Sequence, residues 1–208
     1  MDLDAMRAAT RRRAGVSSSD QLAADADLLE IIQEALDLFN NVRLWPWAET
    51  SASLALVAGT ASYAMPTGWV ATKSVHVQGR GPLDGRMSRG DLDASWPTAT
   101  NTGVPQYYVV AEDGLRVYPT PSEAATVTHV YFRQETRLSA GSDTPLAPVW
   151  THAAIVDKAT ALLLARMREH ERSAAFDARF ADWARQTSDN VRRSTAPRSV
   201  RVRSGGFV

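Results

Sequence analysis

The sequence predicts an α+β protein: a helical bundle formed by the N- and C-terminal helices, with an antiparallel β-sheet or sandwich inserted between them. Three observations lead there. Apolar residues recur at three- and four-residue steps before Pro46 and again after Pro148, the period of helices with a buried face. Between residues 50 and 133 they alternate in short runs punctuated by Gly and Pro. Within that block, residues 103–121 read GVPQYYVVAEDGLRVYPTP. Tyr107, Tyr108, Val109 and Val110 form a β-rich run, Glu112, Asp113 and Gly114 supply a turn, and Leu115, Val117 and Tyr118 return as a second strand. Pro105 and Pro119 sit at the outer ends, where a missing N–H harms no central ladder.

A first short helix, residues 3–13, carries Leu3, Met6 and Ala9 on one face and ends at Gly15. A long helix is expected from Ser19 and Asp20, with Ser19 as N-cap, to Leu44, a length of about 38 Å. Leu22, Leu29 and Leu36 lie one heptad apart, as do Ile32 and Phe39, while Leu28, Ile31, Ala35 and Leu38 widen the stripe. Pro46, between Trp45 and Trp47, stops it. Strands follow at residues 54–57, at Tyr63 and Met65, at residues 69–77 and, after the hairpin, at residues 126–132. In the last of these Val127, His129 and Tyr131 share one face. One helical turn at residues 91–95 precedes Trp96. A Ser-, Gly-, Asp- and Pro-rich loop at residues 139–148 leads to two more helices, about 148–170 and 172–193. The first turns Trp150, Ala153, Ala154, Val156, Leu162, Leu163 and Met167 toward the core; the second uses Phe176, Phe180, Trp183 and Val191. The organisation is therefore N-terminal helices at 1–48, an inserted β domain at 49–138, C-terminal helices at 139–195 and an extended tail at 196–208.

Lys plus Arg and Asp plus Glu each number 23, so no global basic excess points to nucleic acid or membrane. The charge is segregated, however. Arg7, Arg11, Arg12 and Arg13 cluster near the start, and Asp20, Asp25, Asp27, Glu30, Glu34 and Asp37 follow with no base between them. After Asp189 the chain holds Arg192, Arg193, Arg198, Arg201 and Arg203 and no acid. Such segregation suits complementary contacts between copies. The absence of cysteine excludes disulfides, thiolate catalysis and Cys-based zinc sites. The start of the chain has no apolar leader-like run, and the most apolar helix is interrupted by Asp157 and Lys158, so neither a signal peptide nor a membrane span is expected.

Candidate chemistry is sparse. Gly79, Gly81 and Gly85 have the wrong spacing for a dinucleotide loop, and Pro82 lies among them, so an ordinary loop is the better reading. Asp91 and Asp93 have the spacing of a divalent-ion pair but also that of a helix cap. Arg89-Gly90-Asp91 spells an adhesion tripeptide, a match short enough to arise by chance. Of His76, His129, His152 and His170, none forms a close ligand pair, although His76 and His129 have the opportunity to meet across a sheet. No catalytic elbow or triad is suggested, and no cofactor is expected. Trp47, Trp69 and Trp96 leave open a carbohydrate-stacking module, set against ordinary core packing. An enzyme using Asp91, Asp93 and a histidine with a metal is the third reading.

One ordered series of motifs does more. It comprises Arg43-Leu44-Trp45-Pro46-Trp47; Gly59-Thr60-x-x-Tyr63-x-Met65-Pro66-x-x-Trp69; Trp96-Pro97; Gly103-x-Pro105-x-Tyr107-Tyr108; and Leu115-x-Val117-Tyr118-Pro119-x-Pro121. Val130-Tyr131-Phe132, Leu138, Asp143-Thr144-Pro145 and the helix near Trp150 complete it. Across about Asp20 to Arg193 the series resembles the head-to-tail connector (adaptor) proteins of tailed bacteriophages and related gene-transfer particles.

The resemblance implies a structural virion protein with no enzymatic activity, made in the host bacterial cytoplasm and located in the neck. Copies would form a dodecameric ring docked on the portal, above the next neck or tail protein, with viral DNA passing through the lumen without sequence-specific contact and with no membrane partner. The tail residues Arg198, Val200, Arg201, Val202, Arg203 and Phe207 would dock on the portal. The acidic helix face of Asp20, Asp27, Glu30 and Glu34 would lie at a subunit interface or on the lumen.

Overall fold

The computed structural model describes residues 1–96, 101–111 and 114–195, with side chains up to Arg192. The architecture is α+β: among the described residues there are five α-helices, with the strands all lying between the second and fourth. The chain divides into two compact units, Met1–Arg43 with the residues from Arg137 onward, and Leu44–Thr136.

In the helical unit, α1 (Leu3–Ala14) starts where Asp2 accepts the Ala5 N–H at 2.8 Å and ends at Gly15. The φ of 75° at Gly15 is the left-handed conformation that glycine adopts without strain. The α1 N-terminus is completed by the loop after Leu138: Leu3 N–H donates to the Asp143 carbonyl at 2.9 Å and Asp4 N–H to that of Gly141 at 3.0 Å. That loop is folded by Asp143, whose carboxylate accepts from the Ser139 and Ala140 N–H groups, each at 2.8 Å; these bonds hold its pKa below the ordinary value.

The expected helix from Ser19 to Leu44 is shorter and interrupted. Asp20 caps a 3-10 turn at Gln21–Ala23, Ala24 is extended, and α2 runs Asp25–Asn41. The reason is Arg11, whose guanidinium takes the Ala23 carbonyl at 3.0 and 2.8 Å, the acceptor a continuing helix would need. Leu28, Ile31, Ile32, Ala35, Leu36 and Phe39 form the buried face as expected, whereas Leu22 and Leu38 are exposed. Gln33 is buried as well and accepts the Leu138 N–H at 3.1 Å, fixing where the chain re-enters the unit.

After a 3-10 turn at Val149–Thr151, α4 (His152–Arg166) is the central helix, packed against α1, α2 and α5 (His170–Thr195). It is buried nearly all round, which explains its weak amphipathic signal. Trp150 and Ala153, expected in the core, are exposed because they stand at its entry. Buried Thr160 bonds the Val156 carbonyl at 2.7 Å, and buried Asp157 pairs with Arg13 at 2.6 Å and Arg179 at 3.3 Å. This ion triad ties α1 and α5 to α4.

Burial pushes the Asp157 carboxyl up more strongly than Arg13 and Arg179 pull it down. The folded state then keeps this proton to a higher pH than the unfolded chain, whose value is near the ordinary 3.8. Stability contributed here falls as pH rises through that window and levels off above it. Asp157→Asn is therefore expected to gain stability relative to the native protein as pH rises from about 4. Denaturant titrations of both proteins at several pH values check this; a variant that loses stability relative to the native protein as pH rises contradicts it.

In the β unit, β1 (Glu49–Leu56), β9 (Ala125–Arg133), β3 (Trp69–Val77) and β4 (Gly81–Pro82) form one antiparallel sheet in that order. A second sheet orders β2 (Ser62–Tyr63), β7 (Gly114–Tyr118) and β6 (Tyr107–Ala111). Leu56, Val75, Val77 and Val127 of the first pack with Tyr63, Leu115 and Val117 of the second, the core of a small sandwich. A short parallel pair, β5 (Thr102–Gly103) and β8 (Thr120–Pro121), and the helix α3 (Arg89–Ser95) complete the unit. The predicted hairpin is present, Tyr107 opposite Tyr118 through Ala111 opposite Gly114, while its turn residues Glu112 and Asp113 lie outside the described residues. Val127, His129 and Tyr131 are all buried on one face of β9.

Candidate functional site

The basic cluster at the start of the chain is largely used within its own unit. Arg7 pairs with Asp4 at 3.0 Å, Arg11 with Asp25 and the Ala23 carbonyl, and Arg13 with Asp157 and the Ala153 carbonyl. The Arg11 guanidinium holds Asp25 below the ordinary carboxylate range. Arg12 is exposed. Spacing alone gave no sign of this, because the partners lie on other elements.

The acidic row on α2 is divided by the same contacts. Asp20 caps Leu22, Glu34 pairs with Arg166 at 3.4 Å and Asp37 accepts from Gln33 at 3.4 Å. Asp27 and Glu30 make no ion pair among the described residues, and the steps from Asp27 to Glu30 to Glu34 keep all three on one face of α2. The tail residues Arg198, Val200, Arg201, Val202, Arg203 and Phe207 lie outside the described residues.

The residues considered for chemistry have structural partners. Val77 pairs with Gly81, so the Gly79 segment is the turn of the β3–β4 hairpin; Gly85 lies under the Tyr108 ring, where a Cβ would be 2.4 Å away. Arg89-Gly90-Asp91 is the first turn of α3, capped by Ser88, whose Oγ accepts the Asp91 N–H at 3.2 Å. Asp93 accepts the Tyr118 hydroxyl at 2.6 Å and has Arg89 and Arg116 nearby at 3.5 and 3.8 Å. The Tyr118 bond, with the two guanidiniums, lowers the Asp93 pKa, while burial and that same bond push Tyr118 up to about 12. Asp91 and Asp93 therefore do different jobs. Among the described residues no group of three or more His, Asp or Glu side chains could hold a metal ion.

His76 and His129 do not meet. The register sets His76 opposite Thr128 and His129 opposite Val75, which places the imidazoles on opposite faces of the sheet. His129 is buried, bonded to Thr72 Oγ1 at 2.9 Å, and burial lowers its pKa. The tryptophans pack on neighbours: Trp47 stacks on Trp45 with centroids 4.7 Å apart, Trp69 donates to Thr72 Oγ1 at 3.1 Å, and Trp96 lies against Tyr107 and Tyr118 at 5.4 and 6.4 Å. All three are half-exposed, and each packs on a different set of neighbours.

One concave feature was not foreseen from the sequence. A cleft of about 420 Å³ lies between β3 and β6, lined by Trp69, Val70, Met87, Tyr108, Val109 and Val110 among others. No helix among the described residues is long and apolar enough to cross a membrane.

Comparison with curated proteins gives no match. The family model described as SU10 adaptor protein matches residues 1–203. The match extends beyond the motif series at both ends, taking in the N-terminal arginines and the tail as far as Arg203. A helical frame with an inserted β unit, whose polar clusters serve structure, agrees with it, and the chain belongs to the SU10 adaptor protein family, the structural head-to-tail adaptors of phage virions.

Proposed function

We propose that the protein forms a dodecameric ring that docks on the portal and joins the DNA-filled head to the next neck or tail protein, with DNA passing through the lumen. The observation that carries this is the family match over residues 1–203. Asp27 and Glu30, which make no ion pair among the described residues, and the acid-free tail support it, because a closed ring uses two different faces of each copy. Asp27 and Glu30, with Asp20 and Glu34, are assigned to the lumen wall or the subunit interface. On a lumen wall, negative charge repels phosphates and leaves DNA free to slide without sequence-specific contact.

The tail, through Arg198, Val200, Arg201, Val202, Arg203 and Phe207, is assigned to portal docking. It holds no acid, and the alternation of Val and Arg suits a strand added to a partner. Particles assembled without the protein should contain filled heads that fail to hold tails; normal tail attachment in its absence would overturn the reading. Deleting residues 196–208 should leave the thermal transition within about 2 °C, since so short, Arg-, Ser- and Gly-rich a sequence offers little apolar core. Portal attachment should weaken, and unchanged attachment would refute the docking role.

A further inference from the structure

Two strand edges in the β unit are partly open among the described residues. On β6, Asp84 bridges Tyr107 and donates its N–H to the Gln106 carbonyl at 2.9 Å, so the outer edge is free only from Val109 to Ala111. Tyr108 N–H donates outward to the Asp84 carbonyl at 3.0 Å, and Val117 N–H donates away from β6, to Ala61, at 2.9 Å. Tyr108 and Val117 are therefore a non-hydrogen-bonded pair, and two residues on the N–H and C=O of Val110 also face outward. On β3, β4 covers only His76 and Val77, leaving residues 69–74 without a partner on that side. These two edges flank the 420 Å³ cleft, which is lined by no charged side chain. Val70 and Val110 are 46% and 38% exposed in it. The β3 edge is broken by register shifts near Val70 and Lys73, whereas β6 keeps a regular register and carries no Lys or Pro. The apolar end of β6 around Val110, beyond the Asp84 bridge, is a place for a strand to add.

We propose that the cleft receives residues 199–203 from the C-terminal segment of a second copy, as a strand paired with β6. Thirteen residues follow Thr195, a reach of about 40 Å when extended. Among them Val200-Arg201-Val202-Arg203 alternates strictly. In a strand both valines turn to one side and both arginines to the other. The valines match the apolar lining, and the arginines stay in solvent, so no charge is buried. The family match also runs through this segment and stops at Arg203. Resting on the docking reading above, the portal and the cleft compete for one strand, so free copies hold it in each other until a portal is present.

The test uses the full chain in sedimentation velocity over a range of concentrations, with a synthetic peptide of residues 196–208 as competitor. Self-association is expected, dispersed by the peptide. Val110→Pro removes the outward N–H and no ladder bond, and Val110→Asp places a charge in the cleft; each should weaken association at least about tenfold. Val110→Thr, which keeps the N–H, should associate normally. A chain that stays monomeric, or association that ignores the peptide and both disruptive variants, overturns the inference. Either variant suffices if the other fails to fold. Portal binding is read separately: a layer on the portal without self-association sinks only this inference, and self-association without a layer sinks only the docking reading.

Discussion

Gly114→Ala should destabilise the β unit by about 3 kcal/mol or more, combining backbone strain with overpacking. Gly114 has φ 125°, a region L side chains rarely occupy. A Cβ there would also sit 2.2 Å from the Tyr63 carbonyl oxygen. That neighbour is backbone of β2, paired with β7 through Tyr63 and Leu115, so it has no rotamer with which to retreat. Relief requires β2 to part from β7, which opens the packing of Tyr63 on Leu115 and Val117. Thermal unfolding followed by circular dichroism checks this. A transition unchanged from the native protein would mean that the β2–β7 contact does not constrain the hairpin.

Trp45→Ala should cost about 3–5 kcal/mol, the range for truncating a large buried aromatic. Trp45 is 1% exposed and stacks on Trp47 at an interplanar angle of 11°. It stands at ψ 140° before Pro46, where the proline disfavours further helix. Truncation removes both its own burial and the surface that covers Trp47. Trp45→Phe, which keeps an aromatic ring, should recover a good part of the loss. Urea denaturation measures both, and a loss under about 1 kcal/mol for the alanine variant would place Trp45 outside the energetic core.

The elements most legible in the sequence were those whose pattern and environment agree. β9 alternates because one of its faces is buried, and Val127, His129 and Tyr131 all point inward. The α2 stripe from Leu28 to Phe39 followed the helical period for the same reason. Gly114 was legible as a glycine position, although the cause is the approach of Tyr63 as well as the turn. Long-range pairing was not legible. Arg11 breaks the expected helix by taking the Ala23 carbonyl, and Gln33 holds Leu138 across 105 residues of sequence. Strand register separated His76 from His129, a fact that residue spacing alone does not contain.

The interaction surfaces divide along the same line. The acidic row was visible as composition, but which of its members remain uncommitted depended on Arg11 and Arg166, from other helices. The cleft between β3 and β6 was invisible because it arises from which strand edges lack partners, a property of topology. The motif series around Trp45, Tyr63 and Tyr118 carried the family resemblance, and the match over residues 1–203 widens it to nearly the whole chain.

The most direct test of the adaptor reading is negative-stain imaging of the protein mixed with portal rings from the same phage. A new ring-shaped layer on one end of the portal, with twelvefold symmetry in class averages, is the predicted result. Bare portals under several salt conditions, with both proteins folded, would contradict it and move the protein to a lower position in the neck or tail.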